Sequence, residues 1–560
     1  FFSAALADEL QALQESLRAR DPHAFAVAYL DDIFIVVARE HADFAVSEAG
    51  RLLANCGLNL KHDKTSAWSP TVGAAWLSAL TKREDDLDVL GSTLSCLSPD
   101  EAASGARLTV GPGGGEAASS LITALKEYVN NLRRLHKAGL QTQYVLLLLR
   151  SFSTGGVNHA LRATLASKRW RNEYDAVVNN FVAELLEATL DENQKTQLGL
   201  PLKLGGCGFV PAAARREAAF LGSWEQCLQG VMGLVGASTA TSFLARTPVL
   251  QAALAEATRD VRLAGATDYQ EDWIRAASEP QLGTQKRLTQ AVHDASQETL
   301  LANSSEDDVV DRRSAAGLGG TFLQSVVEEG FTLANNHFRA ALRRRLCVPH
   351  AAATLGSNPA TQCQHLARNG ARCGQALDPR GHHAAVCSRG GGPIRKHNRL
   401  RDWLAKWVTE QTGAQAATEQ VVPRWGRWVN DKKVRDGRRW EEARLDVTFT
   451  NSRGRRVYVD VVITDAQSTD PERQRRRARD DGVAAAEQED EKRSRYPGAD
   501  LIPFAIESLG RPGDSAVTFL RGLAPTDPKQ RSSVLGAAWR QLSSILQTEL
   551  AECLLSASAS

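Results

Sequence analysis

Three sets of residues in this chain could do chemistry. The first is Asp31 and Asp32, side by side in Tyr29-Leu30-Asp31-Asp32. Phe25-Ala26-Val27-Ala28 precedes the pair, and Ile33-Phe34-Ile35-Val36-Val37 follows it. Two apolar, β-branched runs around a polar pair predict strand, tight turn, strand, with both carboxylates near the hairpin tip. Adjacent carboxylates repel, and a hard cation such as Mg²⁺ relieves the repulsion. Two such ions, about 3.5–4 Å apart, activate an attacking hydroxyl and stabilise a leaving pyrophosphate. Asp-Asp is also ordinary hairpin-turn chemistry.

The second set is Asp446 and Asp460. Arg444-Leu445-Asp446-Val447-Thr448-Phe449-Thr450 reads as a strand, and a turn over 451–455 leads into Arg456-Val457-Tyr458-Val459-Asp460-Val461-Val462-Ile463. This β-hairpin carries one aspartate on each strand. Both have apolar neighbours, and half-buried carboxylates need partners, of which a divalent metal is one. Lys492 and Tyr496 follow on a charged helix, ahead of a further strand, Leu501-Ile502-Pro503-Phe504-Ala505-Ile506-Glu507.

The third set is Cys363, Cys373, His382 and Cys387, spaced C-x9-C-x8-H-x4-C, with His383 and His365 as alternative ligands. Three thiolates and an imidazole close a tetrahedral zinc site. A loop this poor in apolar residues needs some staple to hold a shape. The alternative is a set of ordinary surface or core cysteines.

The elements that must position these groups follow from periodicity and punctuation. Residues 42–56 form an amphipathic helix leading to a turn at Gly57. Residues 98–115 are a polar, glycine-rich connection, after which Leu121, Leu125, Val129, Leu132 and Leu135 recur at helical spacing. Residues 144–152 read as a buried helix segment. Gly205-Gly206-Cys207-Gly208 implies a turn with close backbone approach, and a helix follows over 212–224. Residues 303–313 read as a charged, loop-like boundary. A helix over 322–346 ends in Arg343-Arg344-Arg345, which suits either the helix dipole or a phosphate. Arg473-Gln474-Arg475-Arg476-Arg477-Ala478-Arg479 is a local basic patch, with Trp425, Trp428 and Trp440 earlier among Arg and Lys. Such cations bind a nucleic-acid backbone without reading its sequence, or form a solvated helix face. Residues 528–557 form a terminal amphipathic helix.

Tyr29-Leu30-Asp31-Asp32 between apolar runs resembles the palm motif of reverse transcriptases. Gly57-Leu58-Asn59-Leu60-Lys61-His62-Asp63-Lys64-Thr65 resembles the next palm motif, and Val89-Leu90-Gly91 the short hairpin that grips the primer. The cysteine spacing, Arg395-Lys396-His397-Asn398-Arg399-Leu400 after it, and Asp446, Asp460, Lys492 and Tyr496 resemble the Cys-Cys-His-Cys element and restriction-enzyme-like, PD-(D/E)xK, endonuclease of site-specific non-LTR retrotransposons. Leu445 stands where that family has proline, and Val462 where many such nucleases have lysine.

The resemblance implies an α+β multidomain chain. Its parts would be a partial palm (1–105), a helical thumb (106–225), a helical linker (226–320), a basic helix with a zinc element (321–400) and an α/β endonuclease with a C-terminal helix (401–560). It implies Mg²⁺ on Asp31 and Asp32, with Lys64 near the pyrophosphate. It implies Mg²⁺ on Asp446 and Asp460, Lys492 and Tyr496 at the nuclease site, and Zn²⁺ in the cysteine element. The partners would be element RNA and target DNA, the compartment the nucleus, and the reaction target-primed reverse transcription. The first residue is not methionine and Met232 is the one methionine, so the chain reads as a fragment of a longer frame, and the resemblance then implies that the fingers and the strand carrying a third catalytic aspartate are missing from it.

Composition bounds these readings. With 67 Lys and Arg against 65 Asp and Glu, the net charge is only +2, so a case for nucleic acid must rest on local patches. No apolar run is long enough to span a bilayer, and nine scattered cysteines read as reduced thiols. Two other functions fit the same sequence: a nucleic-acid-binding remnant of a decayed element without catalysis, and a scaffold retained for protein contacts.

Overall fold

The computed structural model describes residues 6–29, 32–61, 64–69, 81–83, 87–89, 92–94, 110–111, 116–324, 329–349, 362–430, 437–498 and 500–558. It is a mixed α and β structure with small sheets, and it resolves into two compact units. One comprises residues 1–127, 154–176 and 211–295, the other 128–153, 177–210 and 296–560.

In the first unit, β1 (Phe25–Tyr29) and β2 (Asp32–Val36) form an antiparallel hairpin, with Phe25 opposite Val36 and Tyr29 opposite Asp32. The helices Ala7–Arg20 and Ala42–Asn55 close a small core through Leu13, Leu17, Ala45, Ala49 and Leu52. Short strands follow: β3 (Ser66–Trp68) beside β4 (Thr81–Arg83), then β5 (Leu87–Val89), β6 (Ser92–Leu94) and β7 (Val110–Gly111). A separate helical core gathers Phe220, Leu228, Phe243, Leu254, Val261 and Leu288.

The second unit holds a four-stranded sheet in the order β13 (Leu501–Glu507), β12 (Arg456–Thr464), β11 (Arg444–Thr450), β8 (Ala417–Val421), beside a hairpin of β9 (Arg427–Asn430) and β10 (Arg438–Glu441). β11 runs antiparallel to both neighbours, whereas β12 and β13 are parallel. The parallel pair needs a crossover, and the helices Pro471–Arg479 and Val483–Arg495 lie between its strands in sequence. Leu400, Trp403, Leu404 and Trp407 of the helix Gly392–Thr412 pack with Val447, Phe449, Val459 and Val461 of the sheet and with Leu542 and Ile545 of the terminal helix Pro528–Ser558.

Two expected elements differ. Residues 303–313 are not a loop: Glu306–Ala315 is a helix, capped by Ser305, whose Oγ accepts from Asp308 N at 3.2 Å. Its acidic first turn and basic last turn match the dipole, and its charged residues have partners instead of solvent. The helix expected over 322–346 spans only Asn335–Arg345, and Gly330 upstream has a φ of 76° that no helix accommodates. Among the described residues, no helix is long and apolar enough to cross a membrane.

The arginine run at the end of Asn335–Arg345 turns inward. Arg344 pairs with Asp311, and both are buried. Arg345 donates to the carbonyls of Gly206 at 2.8 Å and Ala315 at 2.6 Å. The glycine loop folds tightly back on its own backbone: a Cβ on Gly206 would stand 2.0 Å from Leu200 O. Arg344 and Arg345 thus hold the fold together through interior contacts.

Candidate functional site

The β11–β12 ladder pairs Val447 with Val459 and continues to Thr450 with Arg456. One further step sets Asp446 opposite Asp460, and residues directly opposite in an antiparallel pair share a face. Here the strands part. Val461 N donates to Asp446 Oδ2 at 2.7 Å, so the carboxylate occupies the fork where the next ladder bond would form. Both aspartates are buried, at 6% and 4% exposure, a depth at which a carboxylate must be compensated.

Each has a cationic or cationisable partner from a helix. His397 Nε2, on Gly392–Thr412, lies 3.2 Å from Asp446 Oδ2. Lys492 Nζ, on Val483–Arg495, lies 2.8 Å from Asp460 Oδ2, an ion pair without a well-aligned hydrogen bond. The environments drive the two acids apart. Burial raises Asp446, but the hydrogen bond and charge of His397 hold it below the usual carboxylate range. Burial and the neighbouring Asp446 push Asp460 up to about 6, against the pull of Lys492. Tyr496 is buried, its ring tilted against Trp425 at 5.5 Å between centroids, and its phenol pKa is raised by burial and by Asp460. The structure therefore brings Asp446, Asp460, Lys492 and Tyr496 into one region.

His397 is the residue that sequence reasoning missed. The segment around it reads as a phosphate contact, and nothing in its spacing announces a partner 49 residues away. The neighbouring surface has cations and aromatics to offer. Trp428 and Trp440 are exposed and meet edge to face at 5.5 Å, while Trp425 is buried. In the basic run, Arg473 and Arg475 are exposed, but Arg477 is buried against the carbonyls of Ala466 and Gln467 and the Glu487 carboxylate.

The thiols also gather. Cys363, Cys373, Cys387 and His383 present ligand atoms within 4.8 Å of one another. Cys363 Sγ lies 3.9 Å from Cys387 Sγ, and Cys373 Sγ 3.4 Å from His383 Nε2. A tetrahedral site with Zn–S near 2.3 Å separates its sulfurs by about 3.8 Å. The cluster can hold a metal ion, and its ligand set suits zinc. Burial pushes the Cys363 thiol up to about 12, while a backbone hydrogen bond from Gln375 lowers Cys373. Ionising three thiols in so small a space needs a cation.

The histidine is not the one expected. His382 and His383 are adjacent on the short helix His382–Val386, and successive helical residues point about 100° apart, so only one faces the sulfurs. His382 instead accepts from Arg344 at 3.0 Å and stands 3.4 Å from Asp311. His365 faces Ser556 Oγ at 3.0 Å.

The first unit brings less together. Asp32 is exposed at the start of β2, and Lys64 is exposed in a turn. Asp31 lies outside the described residues, as do Leu90 and Gly91 between β5 and β6. Among the described residues, the thiol–imidazole cluster is the one group of three or more potential metal ligands that converges. No family model matches the chain, and no curated protein does.

Proposed function

We propose that the second unit is a divalent-metal-dependent DNA endonuclease, and that the chain is part of a non-LTR retrotransposon reverse transcriptase/endonuclease acting in target-primed reverse transcription. The observation that carries the nuclease reading is the placement of Asp446 and Asp460 opposite each other at a strand fork, with Lys492 on Asp460. A divalent cation bound to both carboxylates would lower the pKa of a bound water and polarise the scissile phosphate. Asp446 is kept ionised for that role by His397, and the Val461 N–H fixes its orientation. Lys492 supplies positive charge where the phosphorane-like transition state gathers negative charge. Trp428, Trp440, Arg473 and Arg475 would offer stacking and phosphate contacts on the exposed surface of the same unit. The thiol cluster would bind one Zn²⁺. Asp31, Asp32 and Lys64 would belong to the polymerase palm, with Mg²⁺ on the two aspartates.

The test is nicking of supercoiled plasmid by the full chain in Mg²⁺. Asp446→Asn and Asp460→Asn each lower nicking at least about 100-fold, in line with losing a group that holds a catalytic metal, and leave DNA affinity within twofold. Nicking that survives both substitutions overturns the reading. One observation favours the alternative, a nucleic-acid-binding remnant without catalysis: Lys492 already pairs with Asp460, and among the described residues no group of three potential metal ligands converges at the fork. That alternative is the outcome in which DNA is bound and never cut.

A further inference from the structure

The first unit contains a cavity of about 460 Å³, within the size range of small-molecule sites. Arg162, Arg215 and Lys286 line it together with Thr284, Gln285 and His293, and its lining includes no carboxylate. The helix Thr284–Ala302 starts in its wall. Helix geometry leaves the first-turn N–H groups without intrahelical acceptors and concentrates positive potential there. Gly222 makes this approach possible, because a Cβ at that position would stand 2.7 Å from Gln285 N.

A second observation points to a ligand. Arg215 is only 6% exposed and donates through Nη1 to Thr154 O at 2.7 Å. Its Nε and Nη2 are buried and have no hydrogen-bond partner in the protein. A guanidinium stays charged in proteins, and leaving its donors unmet in the interior is costly. The nearby anions are committed elsewhere. The Asp175 carboxylate accepts from Ala212 N at 2.7 Å and Ala213 N at 3.0 Å. Glu225 accepts from the hydroxyls of Thr284 and Tyr269. Arg162 reaches Gln226 Oε1 at 2.8 Å, which holds its guanidinium at the rim.

We propose that this cavity binds the phosphate of a nucleotide unit, with Arg162, Lys286 and the helix start donating from the walls and the buried Arg215 guanidinium supplying positive charge beneath them. The planar donor fork of arginine matches phosphate oxygens, and lysine adds a mobile charge. The site is independent of the nuclease reading, and its failure would leave the Asp446 and Asp460 assay untouched.

The experiment uses the full chain and three probes: inorganic phosphate, adenosine monophosphate and a ten-nucleotide single-stranded RNA. Acetylation of Lys286 is followed by mass spectrometry, and affinity by titration. Phosphate and the nucleotide are expected to protect Lys286, and the double variant Arg162→Gln/Lys286→Gln to bind the nucleotide at least tenfold more weakly with unchanged circular dichroism. RNA binding tighter than the mononucleotide identifies a polynucleotide as the source, and mononucleotide binding alone identifies a free nucleotide. Arg215→Gln should abolish protection; should that variant not fold, protection in the unsubstituted protein decides. Absence of Lys286 protection by all three probes, or equal affinity in the double variant, overturns the proposal.

Discussion

Asp446 and Asp460 have the same side chain and shift in opposite directions: burial raises both, but His397 more than offsets it at Asp446, whereas Lys492 does not offset burial and the neighbouring acid at Asp460. The two strands and their aspartates are legible in sequence, since apolar residues flank each aspartate and a turn separates the two runs; that Asp446 stands opposite Asp460 is not. The partners are not, because His397 and Lys492 arrive from helices whose docking is a tertiary matter. The arginines 343–345 make the same point. Basic residues at a helix end look solvated, yet Arg344 meets Asp311 in the interior. Burial raises Asp311, but Arg344 and His382 more than offset it and hold it below the usual carboxylate range. A depressed carboxylate stabilises the fold fully above its unfolded pKa of about 3.9 and ceases to do so as pH falls through its lower folded value. Urea unfolding should therefore show this contribution intact from pH 7 down to about 5 and declining progressively below about 4 until pH has fallen through the folded value. Asp311→Ala, which strands the Arg344 charge, should cost about 3–5 kcal/mol at pH 7 and remove that part of the acid-side loss. An Asp311→Ala protein as stable as the parent would contradict the assignment.

Among the elements, the cysteine loop was legible as a ligand set and illegible in its histidine, since spacing alone cannot say which of two adjacent imidazoles a one-turn helix turns inward. Cys363 and Cys387 pack with Leu550 and Leu554 of the terminal helix, so metal binding should stabilise more than the loop itself. Reduced protein should carry one equivalent of zinc, measured by atomic absorption. Cys373→Ser and His383→Ala should each lower it below half an equivalent and lower Tm, whereas His382→Ala should leave zinc content unchanged. Zinc retained in His383→Ala and lost in His382→Ala would reverse the ligand assignment. The helix Glu306–Ala315 escaped sequence reasoning for a related reason. Its charged residues suggest solvent, but Asp308 is matched by Arg380 at 2.7 Å and Arg313 by Asp481 at 2.6 Å.

At the scale of the molecule, the proposed polymerase and nuclease parts differ in how much of a site they present. The nuclease part offers two buried carboxylates on paired strands with a lysine in contact, whereas Asp32 is exposed and no other acid converges on it among the described residues. Two-metal nucleotidyl transfer needs carboxylates from more than one strand. The full chain should therefore not extend a primer on an RNA template, and extension abolished by Asp32→Ala would contradict this. A divalent metal between Asp446 and Asp460 is sought by anomalous diffraction from crystals soaked in Mn²⁺ as a stand-in for Mg²⁺. One peak bound by an oxygen from each aspartate at roughly 2.1 Å is expected, with Lys492 Nζ moved off Asp460. A Lys492–Asp460 pair left intact, with no peak between the carboxylates, would contradict it.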